Sequence, residues 1–206
     1  MDEGYIKFHA QWEKSPPLPI RFFKRLNKWR SKLYDLKLIG SYANGIGYGN
    51  ISERFNKKGS FIITGSATGN FDELTPEHYC LVTKVDIGSN VLTCVGPIIA
   101  SSEAMNHAII FKECPDVKAV IHVHHAGIWK KFINKVPTTD RTAPPGTPEM
   151  AYAILKLLRN TDLKKQKIFI MEGHEEGIFT FGKSLDEAGE ILLRYHNQFC
   201  NDQGVY

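Results

Sequence analysis

The residues best suited to chemistry in this chain are histidines. In Ala119-Val-Ile-His122-Val-His124-His125 the apolar run reads as a strand. Strand alternation puts Ala119, Ile121 and Val123 on one face and Val120, His122 and His124 on the other. Two imidazoles on one face can converge on one metal ion, and zinc accepts imidazole nitrogen readily. The competing reading is a pair of satisfied or surface histidines at a strand end. His125 points away from that face. A catalytic metal needs three protein ligands and an open position. Met171-Glu-Gly-His174-Glu-Glu-Gly177, between two apolar strands and bounded by glycine, makes His174 a candidate, though an ordinary loop histidine has the same setting. His78, His107 and His196 occupy unexceptional helix or turn positions.

A second constellation is Ser101-Ser102-Glu103 at the start of a helical pattern. A helix N-terminus presents unpaired backbone N–H groups that favour a phosphate or another anion. Glu103 is either a general base or the acidic first-turn residue that stabilises any helix. Gly177-Ile-Phe-Thr-Phe-Gly182-Lys183-Ser184 matches the spacing of a nucleotide-binding P-loop. Its variable positions, however, are alternating β-branched and aromatic residues that favour a strand over a loop curled around phosphate. Gly45, Gly47 and Gly49 do not spell the dinucleotide fingerprint either.

The elements that must carry these residues follow from periodicity and punctuation. Phe22, Leu26, Trp29, Leu33 and Leu36 recur at helical spacing, so Lys24, Arg25, Lys28, Arg30 and Lys32 are read as a solvated face and not as a nucleic-acid surface. Strands are expected at residues 61–64, 79–87, 91–95, 117–124, 167–171 and 177–181, with a helix at about 102–113 capped by Ser101-Ser102. Thr147-Pro148-Glu149 opens another helix, and the capping box Ser184-x-x-Glu187 opens the last. Residues 1–19, with Pro16, Pro17 and Pro19, read as an irregular N-terminal arm before a domain spanning 20–206.

Composition agrees with one α/β domain around a mixed or antiparallel sheet. The 206 residues are 42% hydrophobic and 11% aromatic, with mean hydropathy −0.27, which excludes disorder. No apolar run is long enough to span a membrane, and the N-terminus lacks a signal-peptide pattern, so a cytoplasmic protein is expected. Twenty-six basic against 22 acidic residues give only +4. The four cysteines form no Cys-x-x-Cys pair and read as free thiols.

In order, Gly49-Asn50-Ile51-Ser52, Ile63-Thr64-Gly65, Leu74-Thr75-Pro76, Ser101-Ser102-Glu103, His122-Val-His124, Gly146-Thr147-Pro148-Glu149, Met171-x-x-His174 and Gly182-Lys183-Ser184 resemble the class II aldolase/adducin family. The resemblance implies an α/β/α sandwich around a mostly antiparallel sheet, assembled as a homotetramer with sites at subunit interfaces. It implies a divalent metal, usually Zn2+, held by His122, His124 and His174. Glu103 then matches the catalytic acid/base, and Asn50, Ser101 and Ser102 match positions that hold the phosphate of a small phosphorylated sugar. The implied activity is an aldolase-type lyase working through an enediolate. Relatives include epimerases, decarboxylases and dehydratases, and the adducin head domain is a non-catalytic interaction module. The chain departs from the family pattern in four places. Ala100 replaces a proline, and Gly65-Ser-Ala-Thr-Gly69 replaces a shorter phosphate turn. Glu175-Glu176 is inserted after the third histidine, and an ungapped match puts Glu176 at the ligand position. The family's proton-donating tyrosine has no clear match except Tyr206.

Overall fold

The computed structural model describes residues 5–202. A sheet of eight strands forms its centre: β1 (His9–Lys14), β4 (Asn50–Arg54), β5 (Phe61–Thr64), β6 (Tyr79–Asp86), β7 (Val91–Gly96), β8 (Ala119–His124), β9 (Ile168–Ile170) and β10 (Gly177–Gly182). A two-stranded ribbon, β2 (Gly40–Ser41) and β3 (Gly47–Tyr48), stands beside it. The order across the large sheet is β1-β7-β6-β5-β4-β8-β10-β9. Every pairing is antiparallel except β1 with β7.

Among the described residues, six α-helices flank the sheet: α1 (Lys24–Asp35), α2 (Ala104–Glu113), α3 (Ala126–Phe132), α4 (Pro148–Asn160), α5 (Leu163–Gln166) and α6 (Leu185–Asp202). Two apolar cores sandwich the sheet. Met105, Ile109 and Ile110 of α2 and Met150, Ile154 and Leu158 of α4 pack with Val120, Phe169, Phe179 and Phe181 on one face. Leu26 and Leu33 of α1, Ile128 of α3 and Leu185, Ala188 and Leu192 of α6 pack with Ile51, Ile121, Val123 and Ile178 on the other. The alternation expected of β8 holds: its odd-numbered residues enter the second core, and His122 and His124 share the face of Val120. The architecture is the expected α/β/α sandwich.

Local punctuation works mostly as the sequence suggests. Thr147 caps α4, its hydroxyl accepting the Met150 N–H, with Pro148 in the first turn. Ser184 accepts the Glu187 N–H at 3.1 Å. The segment with P-loop spacing is strand β10, buried throughout and paired between β8 and β9. Three readings change. Residues 9–14, expected to be irregular, form an edge strand, because Trp12 alternates with polar neighbours along β7 and its indole donates to the Gly96 carbonyl at 2.9 Å. The helix expected from Ser102 begins at Ala104, with Glu103 in the cap position and no side-chain cap. Ser101 and Ser102 therefore lie in the turn before it.

The third change concerns Arg30, assigned to the solvated face but 1% exposed. Leu26, Arg30 and Leu33 are spaced four and three apart, so Arg30 lies on the apolar stripe itself. Its guanidinium donates to the carbonyls of Asp72 (2.8 Å), Thr68 (3.0 Å) and Gly69 (3.2 Å). Burial lowers its pKa from the usual arginine range, with smaller contributions from Tyr79, Tyr34 and Asp72 opposing that shift. Replacing Arg30 with methionine keeps the length but leaves these buried carbonyls without their donor. Each orphaned group costs about 1–3 kcal/mol, so a urea titration should show Arg30→Met less stable by about 3 kcal/mol. A loss below about 1 kcal/mol would mean that the 65–72 segment does not depend on this side chain.

Candidate metal centre

Strand β8 ends with two histidines on the α2/α4 face, and the tight connection from β9 to β10 brings a third to them. In that connection the Met171 N–H donates to the Gly177 carbonyl at 3.0 Å and the Gly177 N–H to the His174 carbonyl at 2.9 Å. The ligand atoms of His122, His124 and His174 all lie within 4.8 Å of one another, and all three residues are buried. The rings of His124 and His174 are 4.7 Å apart and those of His122 and His174 5.4 Å. His122 stacks on Phe179 at 4.3 Å.

Hydrogen bonding decides which nitrogens face inward. His122 Nδ1 lies 3.1 Å from the Ile178 carbonyl oxygen, which can only accept, so that nitrogen carries the proton. His124 Nδ1 lies 2.8 Å from the Tyr42 hydroxyl, whose own proton goes to Glu176 Oε2 at 2.9 Å. His124 Nδ1 must then be the donor, and its Nε2 carries a lone pair. The two Nε2 atoms are 3.1 Å apart. Burial depresses both imidazoles well below the usual histidine pKa, and the neighbouring histidines push the same way. Two neutral rings with facing lone pairs repel, and a shared cation turns that repulsion into coordination. The donor set fits a divalent transition metal such as Zn2+.

Glu103 adjoins this cluster. It is 4% exposed, with Oε1 4.0 Å from His174 Nδ1 and Oε2 accepting the Asn106 amide. The carboxylate is thus turned inward, unlike a solvated first-turn acid. Gly146, at φ +69°, runs against it: a Cβ there would lie 3.2 Å from the Ser102 carbonyl oxygen and 3.6 Å from Glu103 Oε1. Glu103 also lines a small cleft with Gly47, Asn50, Ser101, Ser102 and the 65–69 turn. That turn packs tightly on the ribbon, where a Cβ on Gly69 would lie 2.2 Å from the Gly40 carbonyl oxygen.

All seven expected site residues therefore meet in one region, in two groups joined by Glu103. His78, His125 and His196 stay outside it. His125 caps α3 by accepting the Ile128 N–H at 3.1 Å, His78 accepts the Thr75 N–H at 2.9 Å, and His196 lies on α6 beside His125. Tyr206 falls outside the described residues. His107, read as unexceptional, supports the site. Its Nε2 lies 2.6 Å from Asn50 Oδ1 and its Nδ1 2.6 Å from Ser52 Oγ. The amide oxygen only accepts, so His107 donates from Nε2, and Asn50 is left its Nδ2 protons to offer the cleft.

Burial pushes His107 down to about 3, against about 6.5 in an unfolded chain. The folded state then binds fewer protons than the unfolded state below about pH 6.5. Stability contributed by neutral His107 is present above that pH and is lost as pH falls. The slope should approach about 1.4 kcal/mol per pH unit for this residue alone, with His122 and His124 adding in the same direction in metal-free protein. Urea titrations at descending pH should show His107→Gln losing stability less steeply, by about one proton. Equal slopes would mean that His107 is protonated in the folded protein.

The fold and part of the sequence are similar to those of known proteins. Residues 41–129 match the family model described as Class II Aldolase and Adducin N-terminal domain. The matched segment holds Asn50, Ser101, Ser102, Glu103, His122 and His124, and His174 lies beyond it. Among curated proteins, a probable L-ribulose-5-phosphate 4-epimerase from Mycoplasma pneumoniae is 32% identical over 77 residues, 37% of this chain and 30% of that protein's length. Among solved structures, an L-fuculose 1-phosphate aldolase aligns with TM-score 0.66 at 21% identity, covering 91% of this chain and 89% of the other. A sugar-phosphate aldolase from Thermotoga maritima aligns with TM-score 0.64 at 19% identity, covering 90% and 96%. At these identities the structures establish a shared fold. No helix among the described residues is long and apolar enough to cross a membrane.

Proposed function

We propose that the protein is a metal-dependent lyase of the aldolase type acting on a small phosphorylated sugar. The observation that carries this reading is the position of Glu103, a buried carboxylate shared by the three-histidine cluster and the cleft of Asn50, Ser101 and Ser102. His122, His124 and His174 hold a divalent ion, Zn2+ by the softness of three imidazoles. When bound, the ion supplies Lewis acidity that stabilises negative charge developing on sugar oxygens.

This chain's own residues do the remainder. The Asn50 amide and the Ser101 and Ser102 hydroxyls hold the phosphate. The Glu103 carboxylate removes or returns a proton on the substrate while Asn106 holds its other oxygen. Gly146 brings the start of α4 against Ser102 and Glu103, which limits water beside that carboxylate. We place the reaction in a cytoplasmic homotetramer with sites at subunit interfaces, residues 20–206 forming the catalytic domain. The name of the curated relative supports a second reading, an epimerase using the same cluster.

The test is to incubate metal-loaded protein with short-chain ketose phosphates and follow both aldehyde release and the sugar's configuration. Aldehyde release supports the lyase. Inversion without cleavage would replace it with the epimerase. Metal binding with neither reaction would leave a decarboxylase or dehydratase, and failure to take up Zn2+, Mn2+ or Co2+ would favour an interaction module like the adducin head.

A further inference from the structure

A chain of polar side chains lies beside the histidine cluster. The β2–β3 ribbon closes through a turn in which the Tyr42 N–H donates to the Ile46 carbonyl and the Gly45 N–H to the Tyr42 carbonyl, both at 2.9 Å. It lays two tyrosines on His124: Tyr48 stacks on the imidazole at 5.5 Å, and the Tyr42 hydroxyl meets Nδ1 at 2.8 Å. The Tyr42 hydroxyl donates in turn to Glu176 Oε2 at 2.9 Å.

Glu176 is held there against its backbone preference. Its φ of +68° lies in the left-handed region, where a residue with a Cβ is strained and glycine is not. The carbonyl of Glu176 accepts the His125 N–H at 3.1 Å, tying the residue at both its main chain and its side chain to the end of β8. A carboxylate held in a strained backbone where it accepts the hydrogen bond of a phenol has a purpose beyond turning the chain.

We propose that Tyr42 and Glu176 form a positioning relay for His124. The carboxylate accepts the hydrogen bond of the Tyr42 hydroxyl, and the Tyr42 oxygen in turn accepts the hydrogen bond of the His124 Nδ1–H, each proton staying on its donor. The imidazole is thereby locked with its Nε2 lone pair toward the other histidines, and its basicity as a ligand is raised. The relay makes Glu176 a support of the metal site, not one of its ligands. It rests on the metal-site reading above, and the experiment separates the two.

The probe is Co2+, titrated into the full chain against a chromophoric chelator, with the visible spectrum of the bound ion recorded. Losing such support weakens metal binding roughly 10- to 100-fold. Tyr42→Phe should fall in that range and shift the Co2+ bands, while the metal-free melting temperature stays near that of wild type. Glu176→Gln, whose amide oxygen still accepts the phenol proton, should lose less. The double variant should be no weaker than Tyr42→Phe, because a chain cut at its centre gains nothing from its far end. Wild-type protein that binds no Co2+ would sink the metal-site reading. Wild type that binds, with Tyr42→Phe and Glu176→Gln equal to it, would overturn the relay alone. So would losses that multiply in the double variant.

Discussion

Replacing Glu103 with glutamine should lower turnover by about 100- to 10,000-fold while metal content stays near that of wild type. The amide has the shape of the carboxylate, and its oxygen can still accept the Asn106 side chain that holds Glu103 Oε2. What it loses is the capacity to accept a proton from substrate. Because the residue is 4% exposed, bulk water is poorly placed to substitute as the base. The measurement pairs a steady-state rate on a turned-over sugar phosphate with metal analysis of the same sample. Near-wild-type turnover would refute the acid/base role. A parallel loss of metal would instead make Glu103 a ligand, which its position 4.0 Å from His174 Nδ1 makes a fair contest.

The second large effect concerns the third ligand. His174→Ala should lose most of its metal, whereas Glu176→Ala should keep full stoichiometry when metal is in excess. Zinc binding worth on the order of 10 kcal/mol, spread over four positions, assigns about 3 kcal/mol to one imidazole. That corresponds to roughly 100-fold in affinity. His174 offers a ligand atom within 4.8 Å of those on His122 and His124, while Glu176 Oε2 accepts the Tyr42 hydroxyl at 2.9 Å. Metal analysis after equilibration with a weak chelator distinguishes them, with melting curves to show that both variants fold. Metal retained in His174→Ala and lost in Glu176→Ala would give Glu176 the place.

Much of this was legible without coordinates wherever the signal was local. Alternation in β8 placed His122 and His124 together, since a strand's side-chain period leaves them no other option. Thr147 and Ser184 announced their helices, because a cap bonds within its own turn. The strand character of Ile178-Phe179-Thr180-Phe181 was enough to reject a P-loop whose spacing matched in full. Arg30 was legible and missed: its spacing from Leu26 and Leu33 put it on the buried stripe, and residue type was allowed to outweigh position.

Other features had no local signature. Residues 9–14 hold no proline, those of the segment lying downstream at 16, 17 and 19, and nothing within them specifies that β7 will be their partner. His107 looks like any helical histidine until α2 packs beneath β4 and its ring spans Asn50 and Ser52. The inward turn of Glu103 depends on where α2 begins, and Tyr42 and Glu176 are separated by 134 residues. The amino-acid sequence alone determined an α/β domain around a largely antiparallel sheet and the shared face of His122 and His124, because periodicity and capping act within a few residues. Tertiary structure alone decided which nitrogens face the centre of the histidine cluster and what supports them, because a buried polar atom takes whatever partner the packed chain brings to it.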